Sequence, residues 1–293
     1  MKMLTADEAM IRRVLPPRRQ DTHKGDYGRA FLLCGATGFT GAAYFAAESA
    51  VRSGAGLVDL AVPSAIYPIA AAKLNEAMVH PAACLEDGTV AAAALDELRG
   101  RAERADALLI GCGLGRGREV EPVVLSMLAA AKAPVVLDAD GINALCAHKD
   151  KIAAAQAAVI LTPHDGELTR LLGEAPVRAG EERTAAAVRI ARTLGATLVM
   201  KGHVTVTADK AGRVCVNTTG NAGMARGGSG DVLAGIIVAL AAQGIPPFEA
   251  AAAGAYIHGL AGDMARAVQG EIGMTPTDML RLLPRAFYRC RGG

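Results

Sequence analysis

Residues 227–240 read GGSGDVLAGIIVAL, a glycine-rich turn that runs directly into an apolar stretch. Glycine at positions 227, 228 and 230 lets backbone N–H groups approach a ligand without obstruction by Cβ atoms. The start of the following helix points unpaired N–H groups and the positive end of its dipole in the same direction. The stretch therefore predicts a phosphate site in which Gly228, Ser229 and Gly230 form an anion hole.

Asp231 ends this turn, where a fixed carboxylate would repel a bound phosphate. Its position is explained if the carboxylate accepts the proton of a hydroxyl group that attacks the phosphate. Asp231 is therefore the candidate catalytic base of a phosphoryl transfer. The alternative is a simple helix cap, since aspartate is favoured at N-caps and short glycine-rich motifs also occur without such a function.

The composition is typical of one large α/β domain. A chain of 293 residues could also hold two small domains, but we see no proline-rich or charged linker that would divide it. We predict a single domain over residues 1–293, in which residues 1–20 form a solvated N-terminal arm. Hydrophobic residues make up 52% and aromatic residues only 3%, which predicts a core of Ala, Val, Leu and Ile.

Charge and cysteine usage exclude several classes of function. The formal net charge is +2 and the basic residues are scattered, so the electrostatic surface of a nucleic-acid binder is missing. The six cysteines include no C-x-x-C pair, which fits a reducing cytoplasm. There is no signal-peptide pattern and no uninterrupted apolar run of membrane-spanning length. We expect a cytoplasmic protein without a membrane or nucleic-acid partner.

Short apolar runs alternate with alanine-rich stretches of helical periodicity, which predicts a parallel sheet with helices on both faces. The predicted strands are residues 30–34, 57–62, 107–110, 135–137, 159–161 and 197–200. The predicted helices are residues 41–53, 121–131, 181–194, 231–243, 247–268 and 277–290, with Pro284 expected to kink or end the last one. Residues 204–207 and 214–216 are expected to form a hairpin.

Polar motifs follow several of the predicted strands, at the edge of an open parallel sheet where ligands bind. Asp138 and Asp140 lie on one such turn and could hold Mg²⁺ through water, because Mg²⁺ often takes one or two protein carboxylates. Capping a helix together with Asn143 is the alternative for one of them. Glu167 could face the same metal or merely occupy the first turn of a helix.

Two further motifs point into the same crevice. His164 follows Pro163 at the end of a buried strand, and we interpret it as a substrate contact rather than a core histidine. Lys201 precedes Gly202 in a turn between two strands, where a lysine could neutralise phosphate oxygens or simply be solvated. The segment 111–115, GCGLG, lacks the spacing of a dinucleotide fingerprint and could equally be a flexible turn.

Together, these motifs resemble the ADP-dependent NAD(P)H-hydrate dehydratase family over residues 15–262. The segments that carry the resemblance are 23–28 (HKGDYG), 40–43 (TGAA), 52–58 (RSGAGLV), 137–141 (LDADG), 162–167 (TPHDGE) and 227–233 (GGSGDVL). The resemblance implies a ribokinase-like fold, a three-layer sandwich with a mostly parallel central sheet. The glycine-aspartate segment is shared with ribokinase-like kinases in general, whereas the segments around His23 and His164 narrow the resemblance to the dehydratases.

The resemblance implies repair of a damaged nicotinamide cofactor. In this family a nucleotide, typically ADP and possibly ATP, drives the loss of water from the S-epimer of hydrated NADH or NADPH. By analogy, Asp231 would help the ring hydroxyl attack the terminal phosphoryl group, and phosphate would then leave. Relatives suggest a homotetramer. Many bacterial relatives carry an N-terminal epimerase domain, for which this chain has no room, so we expect the R-epimer to be handled elsewhere or to racemise unaided.

The resemblance also assigns individual positions. Those matching the hydrate site are Ala42, Gly115, His164 and Asp231, and those matching the nucleotide site are Lys201, Gly202, His203, Val204, Thr205 and Gly230. The chain departs from the family at Ala43 and Cys112, where proline is usual. These departures put the rigidity of the loop and the fit of the nicotinamide in question.

Two other functions remain open at this point. One is a small-molecule kinase of the same fold that phosphorylates a vitamin precursor of the hydroxymethylpyrimidine or hydroxyethylthiazole type. The other is an inactive nucleotide sensor, although such relatives tend to lose the acidic residue that Asp231 provides here.

Overall fold

The computed structural model of the chain describes residues 3–15, 17–174, 177 and 180–292. Ten strands in these residues form one sheet: β1 (Met3–Thr5), β2 (Arg29–Leu33), β3 (Leu57–Pro63), β4 (Met78–Ala82), β5 (Ala107–Ile110), β6 (Val135–Leu137), β7 (Val159–Leu161), β8 (Thr197–Met200), β9 (Thr205–Ala208) and β10 (Val214–Asn217). The strand order is β1-β10-β9-β8-β7-β6-β5-β2-β3-β4. Among the described strands, β9 runs antiparallel to both of its neighbours and all other pairs are parallel.

The helices of the described residues are α1 (Glu8–Val14), α2 (Thr40–Arg52), α3 (Tyr67–Lys73), α4 (Leu95–Ala102), α5 (Val120–Ala130), α6 (Asp140–Asn143), α7 (Asp150–Ala154), α8 (Asp165–Leu172), α9 (Gly180–Leu194), α10 (Ser229–Ala242), α11 (Pro247–Gly273) and α12 (Pro276–Cys290). Within this part of the chain, no helix is both apolar enough and long enough to cross a membrane.

Side chains alternate between the two faces of the sheet and build two separate cores. Along β5, Leu109 belongs to the core shared with α2, α10, α11 and α12, whereas Leu108 and Ile110 belong to the core shared with α5, α8 and α9. The side chains of Leu108, Leu109 and Ile110 are all fully buried. The predicted three-layer, ribokinase-like arrangement with a mostly parallel sheet and helices on both faces is confirmed.

Helix α10 lies at the centre of one helical layer. Almost all of its residues are buried, which matches the apolar sequence that follows the glycine turn. A Cβ built on Gly235 would lie 2.0 Å from Oγ of Ser49 and 2.2 Å from the carbonyl oxygen of Ala46. Glycine is therefore required where α10 crosses α2, and this close crossing fixes the position of the turn at the start of α10.

The N-terminal segment differs from the predicted solvated arm. Strand β1 pairs in parallel with β10, and α1 buries Met10 and Ile11 against the core. The prediction was wrong because two adjacent apolar side chains suffice to dock one short helix. Arg12 and Arg13 of the same helix are exposed, as expected. Residues 1, 2 and 16 of the predicted arm lie outside the described residues.

Two other local predictions need correction. Pro284 does not end the last helix, which was one of its two expected effects: α12 continues to Cys290, and Leu283 and Ala286 on either side of the proline are fully buried in the core. The edge strand β4 was not predicted, because its sequence, MVHPA, includes a proline and has an exposed methionine at its start. The predicted hairpin is confirmed as β9 and β10.

Candidate active site

The carboxyl ends of β6, β7 and β8 and the start of α10 enclose a cavity of about 890 Å³. Of the site residues predicted from the sequence, those that line it are Asp138, His164, Glu167, Lys201, Gly202, His203, Thr205, Gly228, Ser229, Gly230 and Asp231. Ala42, Gly115 and Val204 do not line this cavity. Ala42 lies in the first turn of α2 close to Gly113, and Gly115 lines a second, neighbouring cavity.

Lys201 lies between two carboxylates on the floor of this cavity. Its Nζ is 2.8 Å from Oδ1 of Asp138 and 3.9 Å from Oε2 of Glu167. Burial alone would lower the pKa of Lys201, but the charges of Asp138 and Glu167 outweigh this effect and raise the pKa above its ordinary value. The lysine is therefore a permanent cation, held in place before any ligand arrives.

The glycine turn opens the start of α10 toward this cation. Gly228 has φ +98°, and a Cβ on this residue would lie 2.6 Å from the ring of Phe45. No described side chain caps α10. The N–H of Ser229 donates to the carbonyl oxygen of Arg226 at 3.3 Å, whereas those of Gly228, Gly230 and Asp231 have no acceptor among the described residues and remain available to a ligand. A Cβ on Gly230 would lie 3.3 Å from Nζ of Lys201. The backbone amides and the ammonium group thus border one space, as an anion site requires.

Asp231 lies in the first turn of α10, beside this anion site. Burial and the neighbouring Asp138 carboxylate raise the pKa of Asp231 to about 7, whereas a hydrogen bond from Cys112 and the charge of Lys201 oppose the rise. A carboxylate with this pKa is charged in a large fraction of molecules at neutral pH and is still basic enough to accept a proton. Both properties suit a general base.

Cys112 contributes a thiol next to the two aspartates. Its Sγ is 3.7 Å from Oδ2 of Asp138, and the thiol is fully buried. A hydrogen bond with Cys34, together with burial, raises the pKa of Cys112 well above its ordinary value. The thiol therefore stays protonated and acts as a weak donor to the carboxylates.

The three predicted metal ligands are not brought together. Asp140 accepts hydrogen bonds from Gly115 N at 2.9 Å and from Asn143 Nδ2 at 3.2 Å, but it does not cap α6, whose N-cap position is Ala139 and has no side-chain cap hydrogen bond. Glu167 accepts from the backbone N–H of His164 at 2.8 Å in a capping box at the start of α8. Asp138 is paired with Lys201.

The donor set of the site can be compared with what Mg²⁺ requires. Within the described residues, the group of three potential ligands within 4.8 Å of one another is Cys112, Asp138 and Asp231. Mg²⁺ prefers oxygen ligands, and a thiol does not suit it. The ammonium group of Lys201 also lies between the carboxylates of Asp138 and Glu167. These residues do not fit an all-protein magnesium site.

His164 has a defined orientation at the rim. Its Nδ1 accepts from the backbone N–H of Gly166 at 2.9 Å, so the proton of the neutral ring resides on Nε2. About half of the side chain is exposed, and Nε2 lies 3.3 Å from Oε1 of Glu167. The residue thus combines a helix cap with a donor at the cavity rim.

Among the residues that were not predicted, two hold the backbone of the site in place. His258, on α11, donates from Nε2 to the carbonyl oxygen of Ser229 at 2.9 Å, and burial lowers its pKa to about 4. Arg183, on α9, is 2% exposed and donates to the carbonyl oxygens of Met200 and Lys201. Both lie inside long helices without a local motif, and only the tertiary contacts reveal them.

Comparison with known families matches residues 30–285 to the NAD(P)H-hydrate dehydratase family. The chain is 43% identical over 283 residues to the bifunctional NAD(P)H-hydrate repair enzyme Nnr of Moorella thermoacetica, covering 97% of the chain and 53% of that enzyme. It is 40% identical over 261 residues to the ADP-dependent (S)-NAD(P)H-hydrate dehydratase of Neisseria meningitidis, covering 88% of the chain and 83% of that enzyme.

A solved structure of the ADP/ATP-dependent NAD(P)H-hydrate dehydratase from Bacillus subtilis, co-crystallised with ATP and Mg²⁺, has a TM-score of 0.83 and 29% identity over 99% of each chain. The chain spans about half the length of the bifunctional relatives it matches. The matches support the dehydratase interpretation over the small-molecule kinase. They cover most of the chain, and the chain belongs to the NAD(P)H-hydrate dehydratase family.

Proposed function

We propose that this chain dehydrates the S-epimer of hydrated NADH or NADPH at the expense of a nucleotide, with ADP as the first candidate and ATP as the second. One observation carries the proposal. A carboxylate whose pKa is raised to about 7 lies in the first turn of a helix whose uncapped start borders Lys201, a lysine with a side chain that is 19% exposed. This arrangement supplies a proton acceptor and an anion site to the same reacting centre.

In the first step, Asp231 accepts the proton of the ring hydroxyl while the hydroxyl oxygen attacks the terminal phosphorus of ADP. A new P–O bond forms to the substrate, and the bond between the terminal phosphorus and the bridging oxygen breaks, so that AMP leaves with that oxygen and the electron pair of the broken bond. The N–H groups of Gly228, Ser229 and Gly230 stabilise the negative charge on the transferred phosphoryl oxygens. Lys201 adds a fixed positive charge at the same place.

In the second step, the phosphate ester on the ring is eliminated. The lone pair of the ring nitrogen forms a C=N bond as the C–O bond breaks, and phosphate leaves with the electron pair of the C–O bond. The neighbouring carbon then loses a proton to solvent, and the electrons of its C–H bond form the ring C=C bond and restore the nitrogen lone pair. The products are the dihydronicotinamide ring and inorganic phosphate. Phosphate is a far better leaving group than hydroxide, which explains why a nucleotide is consumed in a dehydration.

The remaining assignments rest on the family resemblance, and for His164, Lys201, Gly202, His203 and Thr205 also on their position in the lining of the cavity. His164 presents Nε2–H at the rim and is proposed to orient the hydrate, with Ala42 and Gly115 completing that side. Residues 201–205 are proposed to contact the nucleotide. Mg²⁺ is proposed to enter with the nucleotide phosphates rather than in a site formed by Asp138, Asp140 and Glu167. A homotetramer is also proposed, by analogy with relatives, and sedimentation would test it.

The deciding experiment mixes the purified protein with hydrated NADH or NADPH and with ADP or ATP in parallel. Recovery of reduced-nicotinamide absorbance, with one AMP and one phosphate formed per ring restored from ADP, is the expected result. A stable phosphorylated vitamin precursor without hydrate turnover would instead establish the kinase. Nucleotide binding without turnover of any of these compounds would indicate the sensor.

A further inference from the structure

A second cavity, of about 660 Å³, lies beside the candidate active site. It is bordered by the loop after β5 and by the starts of α5 and α6, and its lining includes Gly115, Arg116, Arg118, Asn143, Cys146 and Arg170. Its lining carries three guanidinium groups, of Arg116, Arg118 and Arg170, against two carboxylates, of Glu121 and Asp140. The residues with assigned roles in the reaction, apart from Gly115, lie outside it.

A chain of hydrogen bonds fixes the wall of this cavity. Gly115 N–H donates to Asp140 Oδ2 at 2.9 Å, Asn143 Nδ2 donates to Asp140 Oδ1 at 3.2 Å, and Arg170 Nε donates to Asn143 Oδ1 at 2.9 Å. Arg170 is therefore oriented through its Nε. Within the described part of the chain no hydrogen bond uses its two terminal nitrogens, which remain available to a ligand.

The two cavities adjoin each other. A Cβ built on Gly166 would lie 2.8 Å from Cε1 of His164 and 3.7 Å from Nη1 of Arg170. The imidazole of the first cavity and the guanidinium of the second thus meet over one glycine. On the other side, Asp138 lines the first cavity and Asp140, two residues later, lines the second. A long ligand could occupy both at once.

The charge of the second cavity favours an anion. The acidic lining residues are already engaged: Asp140 accepts the two hydrogen bonds described above, and Glu121 lies 3.0 Å from Nε2 of His148. Arg118 has Glu119 as a partner at 3.7 Å. Arg116 and Arg170 have no ion-pair partner among the described residues, and both lie close enough to Cys146 to oppose the rise that burial causes in the pKa of its thiol.

We propose that Arg116 and Arg170 bind a phosphate group of the dinucleotide substrate, on the adenosine half that is remote from the reacting ring. This inference rests on the proposed function. A planar guanidinium matches the oxygen atoms of a phosphate group, and a dinucleotide that is held at the ring near His164 must direct its phosphates away from the reacting centre. The nucleotide that drives the reaction has its own anion site at Gly228 to Gly230.

The variants Arg116→Ala and Arg170→Ala test this proposal, with Arg285→Ala on the exposed surface of α12 as the matched control. Calorimetric titration with NADP⁺ and with adenosine 2′,5′-bisphosphate measures the subsite without turnover. We expect each cavity variant to lose about tenfold in affinity for both ligands, since one charge-assisted contact is removed. The control should bind like the unmodified protein, and ADP affinity should be unchanged throughout.

Kinetics provide an independent readout. For hydrated NADPH, KM should rise about tenfold in the cavity variants with kcat unchanged, because the lost contact is remote from the chemistry. Hydrated reduced nicotinamide mononucleotide, which lacks the adenosine half, should show no effect of either substitution. Equal losses with the mononucleotide, unchanged binding in both variants, or competition by inorganic phosphate as effective as by the bisphosphate would overturn the subsite.

The failure of the subsite and the failure of the proposed function are distinguishable. If the unmodified protein does not convert the hydrate but the titrations still depend on Arg116 and Arg170, the dinucleotide subsite is supported and the dehydratase activity is contradicted. If hydrate turnover is normal in both variants at every substrate concentration, the activity stands and the subsite falls.

Discussion

Nζ of Lys201 donates to Oδ1 of Asp138 at 2.8 Å. The two residues directly follow β8 and β6, which are separated in the sheet by β7. The strand between them contributes Thr162, just beyond β7, whose hydroxyl donates to the same Asp138 oxygen at 2.7 Å. Asp138 is almost fully buried and satisfied by these contacts. The floor of the site is therefore a fixed cation and anion pair, and Asp231 is the carboxylate left to exchange a proton.

Replacing the proposed base tests this division of roles. We expect Asp231→Asn to bind ADP as the unmodified protein does and to lose about two or more orders of magnitude in turnover, since a positioned base has been removed. Calorimetry and the hydrate assay on the same preparation separate the two quantities. Parallel losses of ADP affinity and rate would mean that Asp231 has a structural role.

The pH dependence of the rate follows from the pKa of about 7 at Asp231. The base works in its charged form, so kcat/KM should rise with pH through about 7 and level off above it. A profile measured from pH 5 to 9 with saturating ADP is the direct check. A flat profile across this range would exclude Asp231 as the titrating base.

The same pKa predicts how stability changes with pH. Because the folded-state pKa of Asp231 is raised from 3.8 to about 7, the folded protein binds more protons than the unfolded chain between these values. The free energy of unfolding should therefore fall as pH rises through this window. Asp231→Asn removes the effect, so the variant should gain most in melting temperature at pH 8 and little at pH 4. A gain of equal size at both pH values would contradict this linkage.

The lysine at the floor of the site should act chiefly on the nucleotide. We expect Lys201→Ala to weaken ADP binding by about tenfold or more, because a buried charge beside the anion site is lost. It should also move the pH midpoint of the rate upward, since the charge of Lys201 lowers the pKa of Asp231. Lys132→Ala, at an exposed position, is the matched control. Unchanged ADP affinity in Lys201→Ala would contradict the assignment of Lys201 to the nucleotide site.

Cys112 allows a test of the thiol that lies next to the two aspartates. A hydrogen bond from this thiol lowers the pKa of Asp231, so Cys112→Ala should shift the midpoint of the pH profile upward. Cys112→Ser retains a donor and should shift it less or in the opposite direction. Cys84→Ala, at a partly buried position, is the control and should leave the midpoint of the pH profile unchanged. A midpoint that is identical in the alanine and serine variants would rule out this hydrogen bond as a tuning contact.

Two adjacent glycines of the turn should respond differently to alanine. Gly228 has φ +98°, and a Cβ there would meet Phe45, whereas a Cβ on Gly227 would meet nothing within 4 Å. Gly228→Ala should therefore lose about 1–3 kcal/mol of unfolding free energy. Gly227→Ala should stay within about 0.5 kcal/mol. Urea unfolding without ligand measures both, and equal values would show that the turn relaxes freely.

The sequence predicted the central strands closely. Residues 107–110, 135–137, 159–161 and 197–200 coincide with β5 to β8, because a strand buried on both faces is a continuous aliphatic run. Edge strands β1 and β4 escaped prediction since they are short or contain proline and are not fully buried. Helix α12 continues through Pro284 because packing against the core outweighs the loss of one backbone hydrogen bond.

The sequence predicted which residues the site contains but not which of them contact each other. Motifs that follow parallel strands must gather at one edge of the sheet, so the joint presence of His164, Lys201 and Asp231 in one cavity could be foreseen. The contact of Lys201 with Asp138 depends on the order β8-β7-β6, which nothing in the local sequence encodes. His258 reaches Ser229 only because α11 packs beside α10.

Helix α10 links the chemistry to the integrity of the whole molecule. The turn that is proposed to bind the phosphoryl group is the first turn of a helix enclosed by the sheet and by α2 and α11, and the close contact of Gly235 with α2 leaves no space for the helix to shift. Local melting of the reacting turn would thus require the surrounding core to open. Heat inactivation should accordingly coincide with the cooperative loss of the fold. At no temperature should the protein be folded and yet have lost its activity.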